Sequence, residues 1–192
     1  AIAEVARRRG LWLVEDDVYG VLGSEAPLAA QLPERCLLIS SLSKSVAPGL
    51  RLGFIAGAPE LLERIDREAQ ATRWAVAPLS LALACEWIES GVAEQRLAWQ
   101  MEELQQRWRL AARVLGPRMP QGRAVAPHLW LDDSPPAGLA EACRDHGVEV
   151  VAAEVFAVDA NPGHAVRVSL AAAASRAELK RALEGIVAAW PL

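Results

Sequence analysis

Positions 40 to 53 read Ser40-Ser41-Leu42-Ser43-Lys44-Ser45-Val46-Ala47-Pro48-Gly49-Leu50-Arg51-Leu52-Gly53. A lysine stands among hydroxyls directly after an apolar run, with an arginine seven residues later. The grouping offers one amine able to form an imine, together with hydroxyls and a guanidinium able to hold a phosphate. Such an amine reacts in its neutral form, which burial or nearby positive charge promotes. Upstream, Glu15-Asp16-Asp17-Val18-Tyr19 closes another apolar run. A carboxylate there can keep a heterocyclic nitrogen protonated, and a phenol three residues on can bond a ring oxygen. An electron sink needs that pairing, because a positive ring nitrogen stabilises a carbanion formed beside it. Alone, Lys44 would be an ordinary solvated loop residue; its company argues for chemistry.

These side chains need elements to hold them. Leu11–Val14 is a short, continuously apolar run, which predicts a strand of a parallel sheet buried on both faces, with polar residues at its carboxyl end. Cys36–Ser40 and Leu52–Ala56 repeat the type. Residues 1–9 read as the end of an amphipathic helix, with Arg7, Arg8 and Arg9 in its last turn and Gly10 as the stop. Further helices are expected at 59–71 and 78–90. The longest helical pattern covers 92–115, where Leu97, Met101, Leu104, Trp108, Ala111 and Leu115 form a stripe at steps of three and four.

This helix is expected to link two domains, 1–91 and 92–192. The rest alternates: strand 124–131, helix 136–146, strands 148–152 and 165–170, and helix 176–190 opened by a Ser175/Glu178 capping box. Alternating elements predict the α/β class. Three strand candidates in the first ninety residues are few for a doubly wound sheet, and Ala1 opens inside a helical pattern, so part of a larger domain is expected.

The two motifs together resemble the signature of fold-type I enzymes that use pyridoxal 5'-phosphate, the class I and II aminotransferase family. The nearest resemblance is to the aminotransferase-like domain of MocR-type regulators in the GntR family, where EDD-x-Y and S-x-SK-x-x-APGLRLG recur together. It implies the C-terminal part of that fold, a partial large-domain sheet followed by an α/β small domain. It also implies that Lys44 carries the cofactor as an imine, Asp16 pairs with the pyridine nitrogen and Tyr19 bonds the ring 3-oxygen. Ser41, Ser43 and Arg51 would bind the phosphate. Asp17 is the alternative to Asp16: the family's aspartate-to-tyrosine spacing of three favours Asp16, and a spacing of two occurs in some relatives.

A third match is Ala165-Val166-Arg167-Val168-Ser169-Leu170. In the family an arginine on this strand grips the substrate α-carboxylate, a task that suits a planar two-pronged donor. Gly147-Val148-Glu149-Val150-Val151 and then Phe156 follow the family's GV-x-V…F pattern, with Ala153-Glu154 where relatives usually carry Pro-Gly. The family's phosphate-cradling Gly/Ser loop, stacking aromatic ring and 3-oxygen asparagine lie upstream of these motifs, so weak cofactor binding is expected of this stretch alone. A homodimer is expected by the same resemblance.

Two functions share all these residues. One is the effector-sensing domain of a regulator that binds an amino compound and reaches DNA only through an N-terminal domain outside this stretch. The other is a free-standing aminotransferase acting on an amino acid and a 2-oxo acid. The wording of the motifs favours the regulator.

Composition narrows the rest. A net charge of −4 without a basic stripe excludes nucleic-acid binding by this stretch, and 53% hydrophobic residues argue for a packed core. No apolar run approaches the length of a membrane span. Cys36, Cys85 and Cys143, odd in number and set in apolar stretches, read as reduced core residues of a cytoplasmic protein. His128, His146 and His164 lack metal-ligand spacing. Trp74, Trp87, Trp99, Trp108 and Trp190 read as packing residues, and Trp130 is left open.

Overall fold

The computed structural model describes the chain apart from residues 24, 64, 66–75, 123, 133, 159–162 and 191–192. It divides into two compact units, Ala1–Gln100 and Met101–Leu192.

In the first unit, α1 (Ile2–Arg9) stops at Gly10, whose φ of 66° is the left-handed conformation that glycine takes without cost. The Gly10 N–H bonds to the Arg7 carbonyl and the Leu11 N–H to the Ala6 carbonyl, closing the helix end with paired bonds. Leu11 therefore belongs to the helix stop. The strand expected at Leu11–Val14 instead forms as β1, Leu13–Asp16. It pairs in parallel with β2 (Cys36–Ser41), Asp16 standing opposite Ile39.

β3 (Gly53–Ala56) pairs with β2 antiparallel, Ser41 opposite Gly53, so the parallel strand expected there is corrected. Its return loop, residues 42–52, is shorter than the dozen or more residues that a parallel crossover needs. Burial on both faces is also overturned: all four β3 residues are exposed, and Val14 of β1 is 67% exposed. The buried cluster of this unit is small, comprising Ala3, Ala6, Leu32 and Cys36.

α2 (Leu28–Gln31) lies in the β1–β2 crossover, and α3 (Pro59–Leu62) follows β3. The remainder of the helix expected at 59–71 falls mostly outside the described residues. α4 (Pro78–Glu89) opens with proline at its first position, where the absent N–H costs nothing. The long helix α5 is Val92–Leu115, with the bounds its stripe implies; Leu104, Ala111 and Leu115 of that stripe are buried.

In the second unit β4 (His128–Leu131), β6 (Val166–Ser169) and β5 (Val151–Ala152) form an antiparallel sheet in the order β4-β6-β5. The strands are shorter than the expected 124–131, 148–152 and 165–170. Leu129, Leu131, Val166 and Val168 join a continuous core with α6 (Leu139–Asp145), α7 (Arg176–Ala189) and the end of α5. The Ser175 hydroxyl accepts the Glu178 N–H at 3.2 Å, while Glu178 bonds back to the Ala174 N–H at 3.0 Å, one residue before the capping position. The buried Arg118 guanidinium donates to the Trp190 carbonyl and closes the end of α7.

Two expectations about packing are corrected. Cys36 and Cys143 are buried but Cys85 is exposed, on a helix of which Ala84 alone is fully buried. Trp99 is 53% exposed beneath the Arg96 guanidinium, 4.5 Å from its ring. Trp190 is buried, Trp87 and Trp108 are half-buried, and Trp74 lies outside the described residues. Among the described residues no helix is long and apolar enough to cross a membrane.

Candidate functional site

Because β1 and β2 run parallel, their carboxyl ends share one edge, the side of an α/β sheet where ligands gather. Asp16 is the last residue of β1, and Ser41 the last of β2. Beyond Ser41 the chain winds a turn in which the Leu42 carbonyl accepts the Val46 N–H at 2.9 Å and the Ala47 N–H at 3.0 Å. Buried Ser45 and Val46 seat that turn, and half-buried Lys44 leaves it. The Lys44 Nζ stands over the Tyr19 ring, 5.1 Å from its centroid. The two motifs, separated by the crossover and its helix α2, thus come together at Lys44 and Tyr19.

The remaining members of the first group are placed less tightly. The Ser41 hydroxyl accepts the Ser43 N–H at 2.9 Å, which leaves its own proton free to donate outward. Arg51 ends the 42–52 loop, exposed, with φ of 51°. A non-glycine residue held left-handed stores on the order of 1 kcal/mol, a strain often found at functional positions. Among the described residues no ion pair joins Asp16 to Lys44, and none is formed by Arg51. The apolar cleft of this unit, lined by Trp12, Leu13, Val14, Leu37, Leu61 and Ile65, contains none of the predicted site residues.

The three acidic residues divide by environment. Glu15 turns inward and accepts the Leu28 N–H at 2.8 Å and the Ala29 N–H at 2.9 Å, capping α2 from thirteen residues away. Asp17 is half-buried against Gly20, so close that a Cβ there would overlap its carboxylate, which explains the glycine after Tyr19. Burial, then the Glu15 and Asp16 charges, pushes the Asp17 carboxyl above its ordinary value. Asp16 is exposed and accepts the Val18 N–H at 3.2 Å.

Sequence reasoning missed three supports. Glu15 is one. Ser40, buried, donates from Oγ to the Asp17 carbonyl at 3.3 Å and ties the two strand ends together. Gln100 of α5 donates from Nε2 to the Lys44 carbonyl at 2.6 Å. No local pattern marks it, because its partner lies fifty-six residues away.

Arg167 belongs to the second unit. It stands on β6 opposite Trp130 of β4 and Val151 of β5. Its guanidinium carbon lies 4.9 Å from the Phe156 ring centroid, and Phe156 meets Trp130 edge-on at 5.8 Å. The Arg167 Nε is buried and has no hydrogen-bond partner among the described residues. A buried unpaired donor costs about 1–3 kcal/mol, so the aromatic pair holds a cation whose bonding is incomplete. The open character of Trp130 is thereby resolved: it is the cross-strand neighbour of this arginine.

A profile of the aminotransferase class I and II family matches residues 1–186. The chain belongs to the class I and II aminotransferase family. YdeF, an uncharacterised HTH-type transcriptional regulator of Bacillus subtilis, is 31% identical over 188 residues, covering 95% of this chain and 41% of its own length. The 8-amino-7-oxononanoate synthase of Pseudomonas paraeruginosa is 31% identical over 208 residues, 99% of this chain and 49% of its own. Solved folds agree. The α-aminoadipate aminotransferase LysN of Thermus thermophilus, complexed with N-(5'-phosphopyridoxyl)-L-leucine, superposes with a TM-score of 0.81 at 23% identity, over 98% of this chain and 52% of its own. Aspartate aminotransferase of Thermus thermophilus with maleate gives 0.82 at 23% identity, over 97% and 50%. The chain spans about half the length of these relatives, or less. Its fold is the α/β fold of fold-type I aminotransferases, and the family's cofactor is pyridoxal 5'-phosphate.

Proposed function

We propose that this chain is a pyridoxal-phosphate-binding, aminotransferase-like domain, the effector-sensing part of a MocR/GntR-family regulator whose DNA contacts lie in an N-terminal helix-turn-helix domain. The observation that carries the site is the Lys44 ammonium over the Tyr19 ring at the edge where β1 ends in Asp16. Residues 1–91 are taken as part of the cofactor-binding large domain, and 92–192 as linker helix and small domain. A cytoplasmic homodimer goes with this reading.

The residues present fit the cofactor. Lys44 supplies the amine. Of the sequence's two lysines, Lys180 is exposed in α7 and paired with Glu184 at 3.4 Å. Asp16 suits the ring nitrogen better than Asp17, since Asp16 is exposed at the carboxyl end of β1 whereas the Asp17 carboxylate is packed against Gly20. Tyr19 supplies the phenol for the 3-oxygen. The Ser41 and Ser43 hydroxyls and the strained Arg51 would anchor phosphate, the guanidinium binding two oxygens at once.

When bound, pyridoxal phosphate supplies the electron sink for a carbanion. Lys44 Nζ takes and returns the proton at the ligand's Cα. By the family resemblance Arg167 would bind the α-carboxylate of an amino compound through its planar fork. In the regulator these contacts bias a domain arrangement.

A second reading, a free-standing aminotransferase working on an amino acid and a 2-oxo acid, draws support from the synthase relative and from the unpaired Arg167 Nε. The test uses the complete protein and a panel of amino acids. The proposal expects one of them to shift affinity for the protein's own upstream DNA in the wild type and not in Lys44→Ala, without sustained 2-oxo-acid release. Many turnovers with no DNA affinity would overturn it in favour of the enzyme.

A further inference from the structure

Lys44 is held at two points, and only one of them belongs to a recognised motif. Its Nζ meets Tyr19. Its backbone leaves a turn whose own bonds converge on the Leu42 carbonyl, so the Lys44 carbonyl is not used by that turn. The Gln100 amide fills the vacancy at 2.6 Å, from a helix that enters the sequence long after the motif has ended.

We infer that Gln100 is a positioning residue for Lys44, fixing the main chain from which the reactive amine is aimed. The inference rests on the reading of Lys44 given above. A lysine side chain has four rotatable carbon–carbon bonds, and its amine is directed only as well as its Cα is held; preorganisation of this kind comes from supporting groups outside the reacting set. Two observations argue against mere surface decoration. The bond links groups fifty-six residues apart and is part-buried, and no backbone N–H among the described residues is bonded to the same carbonyl. α4 packs against the Pro48–Leu50 turn that completes the same loop, so the helical layer supports the lysine loop at both ends.

Substitution at Gln100 separates positioning from stability. Gln100→Glu keeps the volume and helix propensity but replaces the donor by an acceptor that repels the carbonyl. Gln100→Ala removes the group, and Gln100→Arg restores a donor. On the complete protein the measurements are the dissociation constant of added pyridoxal phosphate, amide hydrogen exchange of the peptide spanning 42–50, and the thermal midpoint. Gln100→Glu and Gln100→Ala are expected to weaken cofactor retention about tenfold, equivalent to about 1.4 kcal/mol. Exchange at 42–50 should rise with little change in midpoint, and Gln100→Arg should recover part of both. Unchanged retention and exchange in both variants would overturn the inference while leaving the Lys44 reading standing. A uniform fall in midpoint with no selective change at 42–50 would make Gln100 merely structural. A wild type that retains no pyridoxal phosphate would sink the Lys44 reading itself, and this inference with it.

Discussion

The two units solve the problem of holding a reactive side chain in different ways. In the second, Arg167 rides on a sheet whose other face is sealed: Leu115, Leu131, Leu170, Leu183 and Ile186 are fully buried together. In the first, Lys44, Asp16 and Tyr19 sit on a sheet with exposed apolar faces and a small buried cluster. There, position is kept by a few polar bonds: two from the α2 amides to Glu15, one from Ser40 to the Asp17 carbonyl and one from Gln100 to the Lys44 carbonyl. Apolar packing is cheap to specify in sequence and tolerant of detail, whereas each polar tether depends on one distant partner.

The largest expected contrast is in side-chain truncation. Leu183→Ala in the second unit should cost about 2–5 kcal/mol by leaving a cavity. Val14→Ala in the first, 67% exposed, should stay within about 0.5 kcal/mol in denaturant unfolding. Equal losses would erase the distinction.

A polar tether should matter more in the first unit than its small core suggests. Glu15→Ala removes two bonds from the start of α2 and should cost about 1 kcal/mol, read in the same unfolding experiment.

Arg51→Gly should separate stability from binding. Relief of the left-handed backbone is expected to stabilise the fold by about 0.5–1 kcal/mol while cofactor retention falls. A loss of stability would mean that the conformation is not strained.

Acid should act with opposite signs on the two units, and this is the smallest effect. Hydrogen bonds from Arg176 first, and from Arg107, hold Glu103 of the second unit below its ordinary value. Its contribution is therefore present at neutral pH and is lost as the pH falls through the folded-state value. Burial holds Asp17 above its ordinary value, so its ionised form costs stability at neutral pH and that cost is relieved as the pH falls. Thermal midpoints against pH should show the deficit of Glu103→Gln and the gain of Asp17→Asn both shrinking on acidification.

What could be read from the sequence follows the same division. The α5 stripe gave both bounds of that helix, because a 3.6-residue period over twenty-four residues is hard to mistake. The α/β class and the Ser175 cap were also legible, since period and capping box are local; that Lys44 and Tyr19 share one edge was implied only by the family resemblance. Strand direction was not legible: an apolar run carries no orientation, and β3 turned back because its loop was short. Glu15 and Gln100 escaped notice because a tether between residues thirteen or fifty-six apart leaves no pattern in either neighbourhood.

The central claim, that Lys44 is the amine that holds the cofactor, meets its most direct test in borohydride reduction of the complete protein loaded with pyridoxal phosphate, followed by digestion and mass spectrometry. The account predicts a pyridoxyl group on the peptide containing Lys44 and none on that containing Lys180. Labelling of Lys180 instead, or of neither lysine, would contradict it.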